Sequence, residues 1–143
     1  MDTYPFYVVL EAILVGCGCV FLYIGLQWIK PLFVSLFVLG ILKHGIGYGI
    51  GIESLYCRYG QACLSRSLDG PIQRKEAHSH HIVVETLLEG LAFVLGGFLL
   101  SGPWLRLGMF QRVFLLGFFL HLLAEASGLH TKFCTNNCVF KTV

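Results

Sequence analysis

The chain has 143 residues, of which 56% are hydrophobic and only 13% charged, with a formal net charge of +2 and a mean hydropathy of +0.75. A soluble domain carries about 25% charged residues. This composition therefore excludes an ordinary soluble fold, and the small net charge gives no ground for nucleic-acid binding.

Residues 6–28, Phe6 to Trp28, form a first apolar span with one charge, Glu11. About 20 such residues cross the hydrocarbon core as a helix. The segment is not built like a secretory signal: Asp2 stands where a basic region would be, and no small-residue cleavage site follows. A short turn, Gln27-Trp28-Ile29-Lys30-Pro31, leads into a second span from Leu32 to Ile52. Pro31 suits the first turn of a helix, and Trp28 and Lys30 suit a membrane interface. The second span holds Lys43 and His44, then Gly45, Gly47, Gly49 and Gly51. Alternate glycines weaken a helix, so a kink, a tight contact or an early end is expected near Gly47. Lys43 lies close enough to the end of the span to snorkel.

Residues 53–81 are the long polar connection, with an Asp69-Gly70-Pro71 turn and a His78-Ser79-His80-His81 tract. Short His tracts can bind metal, but a solvated linker is the simpler reading. A third span, Ile82 to Leu100, opens with Glu85 and Glu89 one helical turn apart. The turn Ser101 to Arg106 repeats the proline, tryptophan and basic residue of the first turn. A fourth span, Leu107 to Leu129, holds His121 and Glu125, again one turn apart, and the tail carries Cys134 and Cys138.

The second half of the chain restates the first. Gly40, His44, Gly51, Tyr56-Cys57 and Cys63 are matched 77 residues later by Gly117, His121, Gly128 and Phe133-Cys134, with Cys138 closing the copy. Upstream, Leu10-Glu11 matches Leu88-Glu89 at an offset of 78. A period this long is a duplicated half-protein rather than a solenoid, and internal repeats are frequent in membrane proteins. The expected fold is all-α: four transmembrane helices as two tandemly duplicated helical hairpins. The first hairpin repeat covers 1–66, a polar linker 67–78, and the second hairpin repeat 79–143.

This topology puts both termini, the linker and the four repeat cysteines on one face. The short turns and adjoining helix starts carry Lys30, Arg106 and Arg112 and no acid, while the cysteine face has more basic residues over longer segments. The positive-inside rule leaves that balance undecided. Paired cysteines at span ends suit an oxidising compartment, which favours the extracytoplasmic or luminal side for the termini.

Three constellations carry chemistry. Glu11 and His44 fall at one depth near the cysteine face, as do Glu89 and His121, so each hairpin can bring a carboxylate and an imidazole into one layer. Buried ionisable groups in lipid face the bundle interior and take a partner. The simplest role is a structural hydrogen-bonded pair. Where the second copy has Glu85 and Glu125, the first has Tyr7 and Tyr48. Glu85, Glu89, His121 and Glu125 therefore form an alternative set able to hold a divalent metal or relay protons. The two equivalent histidines also invite comparison with axial haem ligands; no cofactor is required by the sequence. Cys57/Cys63 and Cys134/Cys138 are equivalent pairs. The simplest connectivity is one short disulfide per repeat, pairing between repeats being the alternative, since sequence does not give connectivity. Neither pair is C-x-x-C, which favours structural disulfides over a thiol oxidoreductase. The repeat does not keep Cys17 and Cys19, which read as packing residues.

The two repeat endings, Gly40 to Cys63 and Gly117 to Cys138, resemble a hydrophobic segment of uncharacterised small multi-pass membrane proteins of large nucleocytoplasmic DNA viruses. Tyr56-Cys57-Arg58-Tyr59-Gly60-Gln61-Ala62-Cys63 is the closest part. The second copy departs from it with Thr135-Asn136-Asn137 before Cys138. The resemblance covers about a third of the chain. It implies a virion or host-derived membrane location and a structural role, and supplies no activity. Together these readings favour a non-enzymatic structural or interaction protein. Its partners would be the bilayer, other membrane or capsid proteins and further copies of itself. A proton- or metal-handling protein and a membrane thiol oxidoreductase are the alternatives.

Overall fold

The computed structural model describes residues 4–64, 73–74, 79–102 and 105–139. The Asp69-Gly70-Pro71 turn and His78 lie outside them, as do the side chains of Ser79, His80 and His81. Four long helices form the body: α1 (Tyr4–Ile24), α2 (Leu32–Gly49), α5 (Ser79–Leu100) and α6 (Met109–Ala126). Between and after them come the short helices α3 (Ile52–Tyr59), α4 (Gln61–Leu64) and α7 (Leu129–Asn137). A two-residue antiparallel pair joins β1 (Gln73–Arg74) to β2 (Cys138–Val139). The protein is an all-α bundle whose four long helices are apolar and long enough to cross a membrane. Their outward faces expose Phe6, Leu14, Phe21, Leu95, Phe98, Leu99 and Leu123. A continuous apolar exterior of this kind suits lipid rather than water.

The helices do not pair chiefly within their hairpins. α1 packs along α6 and α2 along α5, while α1–α2 and α5–α6 touch far less. The reason lies in small residues. A Cβ on Gly40 would sit 2.8 Å from the Glu89 carbonyl oxygen and from the Gly90 Cα, and one on Gly117 would sit 3.2 Å from the Gly16 Cα. Backbones at such separations leave no room for a side chain, which is how small residues drive helix association in lipid. Around these crossings Cys19, Leu36, Leu39, Phe93, Val113 and Leu116 fill the centre. Cys19 is buried there as a packing residue, whereas Cys17 is exposed.

The glycine run after His44 ends its helix as expected. α2 stops at Gly49, and Gly51 takes the left-handed conformation (φ 80°) at the start of α3. Gly128, its counterpart, does the same (φ 75°) at the start of α7. A side chain would be strained in this region, and glycine is not. The two glycines thus turn α3 and α7 away from the spanning helices, and these short helices cap one end of the bundle together with α4. At the other end Pro31 precedes α2, and the Gly108 amide donates to Gln111 Oε1 at the start of α6 (2.9 Å).

Candidate functional site

The described carboxylates and imidazoles of the long helices, with Lys43, gather at the capped end in two clusters, each built from both repeats. In the first, His44 on α2 donates from Nδ1 to Glu89 Oε2 on α5 at 2.9 Å. Lys43 bonds the other oxygen of the same carboxylate. His44 Nε2 faces Glu53 Oε1 at 3.5 Å and Glu85 Oε2 at 3.7 Å. In the second, His121 Nε2 on α6 lies 3.5 Å from Glu11 Oε2 on α1. Glu11 Oε1 accepts the Gln61 amide at 3.0 Å. The ring of His130 on α7 lies beside His121, with centroids 4.5 Å apart, and its Nδ1 donates to Glu125 Oε2 at 2.7 Å. Tyr4 donates its hydroxyl to the other oxygen of Glu125.

The expected within-hairpin pairing of Glu11 with His44 and of Glu89 with His121 is therefore replaced by its cross-repeat counterpart. The cause is the packing above. The Gly40–Gly90 contact places α5 beside α2, one turn from His44, and the Gly16–Gly117 contact does the same for α1 and His121. Lys43, expected to snorkel, instead neutralises Glu89 and sits 5.8 Å above the Phe93 ring. The set Glu85, Glu89, His121 and Glu125 is divided between the clusters: the first two lie beside His44, the last two beside His130. A haem axial pair would require both histidines to give up these carboxylates.

Glu53 and His130 complete the clusters and escaped the sequence reading. They are equivalent positions, each two residues beyond its left-handed glycine, but one copy carries an acid where the other carries an imidazole. A search for identical residues passes over such a pair. The clusters differ accordingly. The first holds three carboxylates with Lys43 and His44, and the second holds two carboxylates and two imidazoles between tyrosines. Burial holds the His130 imidazole below the ordinary histidine range, against the raising effect of the hydrogen bond it donates to Glu125. The Tyr56 phenol is buried beside the same residues, and burial pushes it far above the ordinary tyrosine range, with the negative charges of Glu125 and Glu11 acting in the same direction. Glu11 Oε2, His121 Nε2, His44 Nε2 and the Tyr56 hydroxyl are buried without a protein hydrogen bond.

The cysteines lie directly above. Cys57 on α3 bonds to Cys138, and Cys63 on α4 bonds to Cys134 on α7. This corrects the expectation of one short disulfide per repeat. Cys134 and Cys138 are four apart at the end of one helix, where Cβ atoms stand about 5–6 Å apart, whereas a disulfide brings them to about 3.8 Å. The cross-repeat pairs meet that requirement with Cα separations of 5.7 and 5.3 Å. All four sulfurs are buried, packed by Tyr56 and Phe133. The repeat relation explains the pattern, since exchanging the two copies converts Cys57–Cys138 into Cys134–Cys63.

No protein-family model, curated protein or solved structure matches this chain.

Proposed function

We propose that the protein is a structural component of a viral or cellular membrane, a scaffold whose two halves are fastened to each other at one end. One observation carries this reading: both Glu–His pairs and both disulfides run between the repeats. A transporter built from repeats works by rocking one repeat against the other, and two covalent ties with a shared polar layer oppose that motion. The resemblance of the repeat endings to small membrane proteins of large DNA viruses supports a virion membrane as the place of residence. The cystines support an extracytoplasmic or luminal position for the capped end, which would present α3 and α7 to other membrane or capsid proteins. Thiol exchange with a partner protein is disfavoured by the complete burial of the four sulfurs.

A second reading, proton handling, is favoured by the buried atoms His44 Nε2, His121 Nε2 and Glu11 Oε2, which lack a protein hydrogen bond beside groups that can carry a proton. Liposomes holding the purified chain and a pH-sensitive dye separate the two. The scaffold reading expects no proton flux above that of empty liposomes, and lowered bundle stability for His44→Gln and His121→Gln. Flux through the wild-type chain that either substitution abolishes would establish proton handling instead.

A further inference from the structure

The two disulfides are not separate staples. Cys63 Sγ lies 3.9 Å from Cys138 Sγ, although neither is bonded to the other. The sulfurs of Cys63, Cys134 and Cys138 all lie within 4.8 Å of one another, and Cys57 is bonded to Cys138. Three cysteine sulfurs thus lie together where α4 and α7 meet, and the fourth, Cys57 on α3, joins the same buried cluster through its bond to Cys138. A zinc ion bound by four thiolates has Zn–S distances of about 2.3 Å in a tetrahedron. Adjacent sulfurs in such a tetrahedron stand about 3.8 Å apart, close to the non-bonded separation found between the two cystines. The sulfurs now bonded to each other would have to part, and Cys57, held near the group by its bond to Cys138, would have to close on Cys63 and Cys134.

We propose that the thiol form of the chain holds a single zinc ion at Cys57, Cys63, Cys134 and Cys138. The chain leaves synthesis with free thiols, so the site exists in any copy that folds before its cystines form. Binding breaks four S–H bonds, releases four protons to solvent and makes four Zn–S bonds, with no electron transferred. Four soft thiolates select zinc over magnesium or calcium. A four-iron cluster holds its cysteines farther apart than one ion does, so this tight grouping favours a single ion. Cys134 and Cys138 have the short spacing usual in structural zinc sites, and the longer gap from Cys57 to Cys63 is spanned by the turn at Gly60 between α3 and α4. The capped end would then be fastened across the repeats in either state, by metal where thiols persist and by disulfides where they are oxidised.

The test uses the full chain in detergent, reduced anaerobically with a phosphine and titrated with Co2+ alone, then with Zn2+. The expected result is one Co2+ per chain with the visible absorption and thiolate charge-transfer bands of a tetrahedral four-sulfur site. Stoichiometric Zn2+ should displace it. Cys17→Ser, at a free and exposed cysteine, should leave the spectrum unchanged, and Cys63→Ser should lose the four-sulfur spectrum. Zinc protection against alkylation, read by mass spectrometry on the wild-type chain, covers the case in which Cys63→Ser fails to fold. Cys57, Cys63, Cys134 and Cys138 should be protected together, and Cys17 should not. Reduced wild-type chain that binds no Co2+, or binds it without thiolate bands, overturns the proposal. So does alkylation of the four cysteines at the same rate with and without zinc.

Discussion

Glu89 and Glu11 are the same residue of the repeat in two different settings. Glu89 balances a lysine inside the bundle and fixes the imidazole of His44. In the other copy Lys43 is replaced by Leu120, and Glu11 spends one oxygen on the Gln61 amide. Lys43 and Glu89 are partly buried, and removing one partner of such a pair leaves the other charge short of compensation. Glu89→Ala should therefore destabilise the bundle by about 3 kcal/mol, near the lower end of the range for such losses. Glu11→Ala should cost less, about 1.5–3 kcal/mol, the range for a lost hydrogen bond to a charged group. Reversible unfolding in mixed micelles checks the order, and an equal or larger loss for Glu11→Ala would contradict it. The polar residues themselves were legible from the sequence, because a charged group in an apolar span is conspicuous and the duplication repeats Glu11 as Glu89 and His44 as His121. Their partners were not. Depth along a helix can be counted in residues, but which neighbouring helix lies alongside depends on packing that the spacing of Glu11, His44, Glu89 and His121 does not encode.

That packing is set by α2 against α5 and α1 against α6, and it turns on the absence of side chains at the crossings. Gly40 has backbone atoms of α5 where its Cβ would be, whereas a Cβ at Gly18 would meet nothing within 4 Å. Gly40→Ala should therefore push the helices apart and cost about 1–3 kcal/mol as an overpacked contact. Gly18→Ala, which is free of such contacts, should change stability by no more than about 0.5 kcal/mol in either direction. The same unfolding assay separates them, and a neutral Gly40→Ala would remove the stated cause of the cross-repeat pairing. The ends of these helices were more legible than their neighbours. The glycine run predicted a break beyond His44, and Gly51 and Gly128 make it in the left-handed conformation. The short helices α3 and α7 were not legible, because they are polar and lack the apolar run that marks a span.

In the assembled molecule each repeat completes the other. The spanning helices pair across the duplication, the carboxylates of one copy reach the imidazoles of the other, and the cystines close over the same end. Four apolar spans and their duplication follow from composition and spacing. The exchange of partners between copies does not, since a parallel duplication allows two self-contained hairpins equally well. The cystines decide between these arrangements most directly, and tryptic cleavage of the oxidised, detergent-solubilised chain reads them. Cleavage at Arg58 places Cys57 and Cys63 on separate peptides, 44–58 and 59–66, while Cys134 and Cys138 remain together on 133–141. The structure requires one species in which all three peptides are joined and which falls apart on reduction, with fragmentation assigning Cys57 to Cys138 and Cys63 to Cys134. Peptide 44–58 joined to 59–66 alone, with 133–141 closed on itself, would show two independent hairpins and contradict the interlocked bundle.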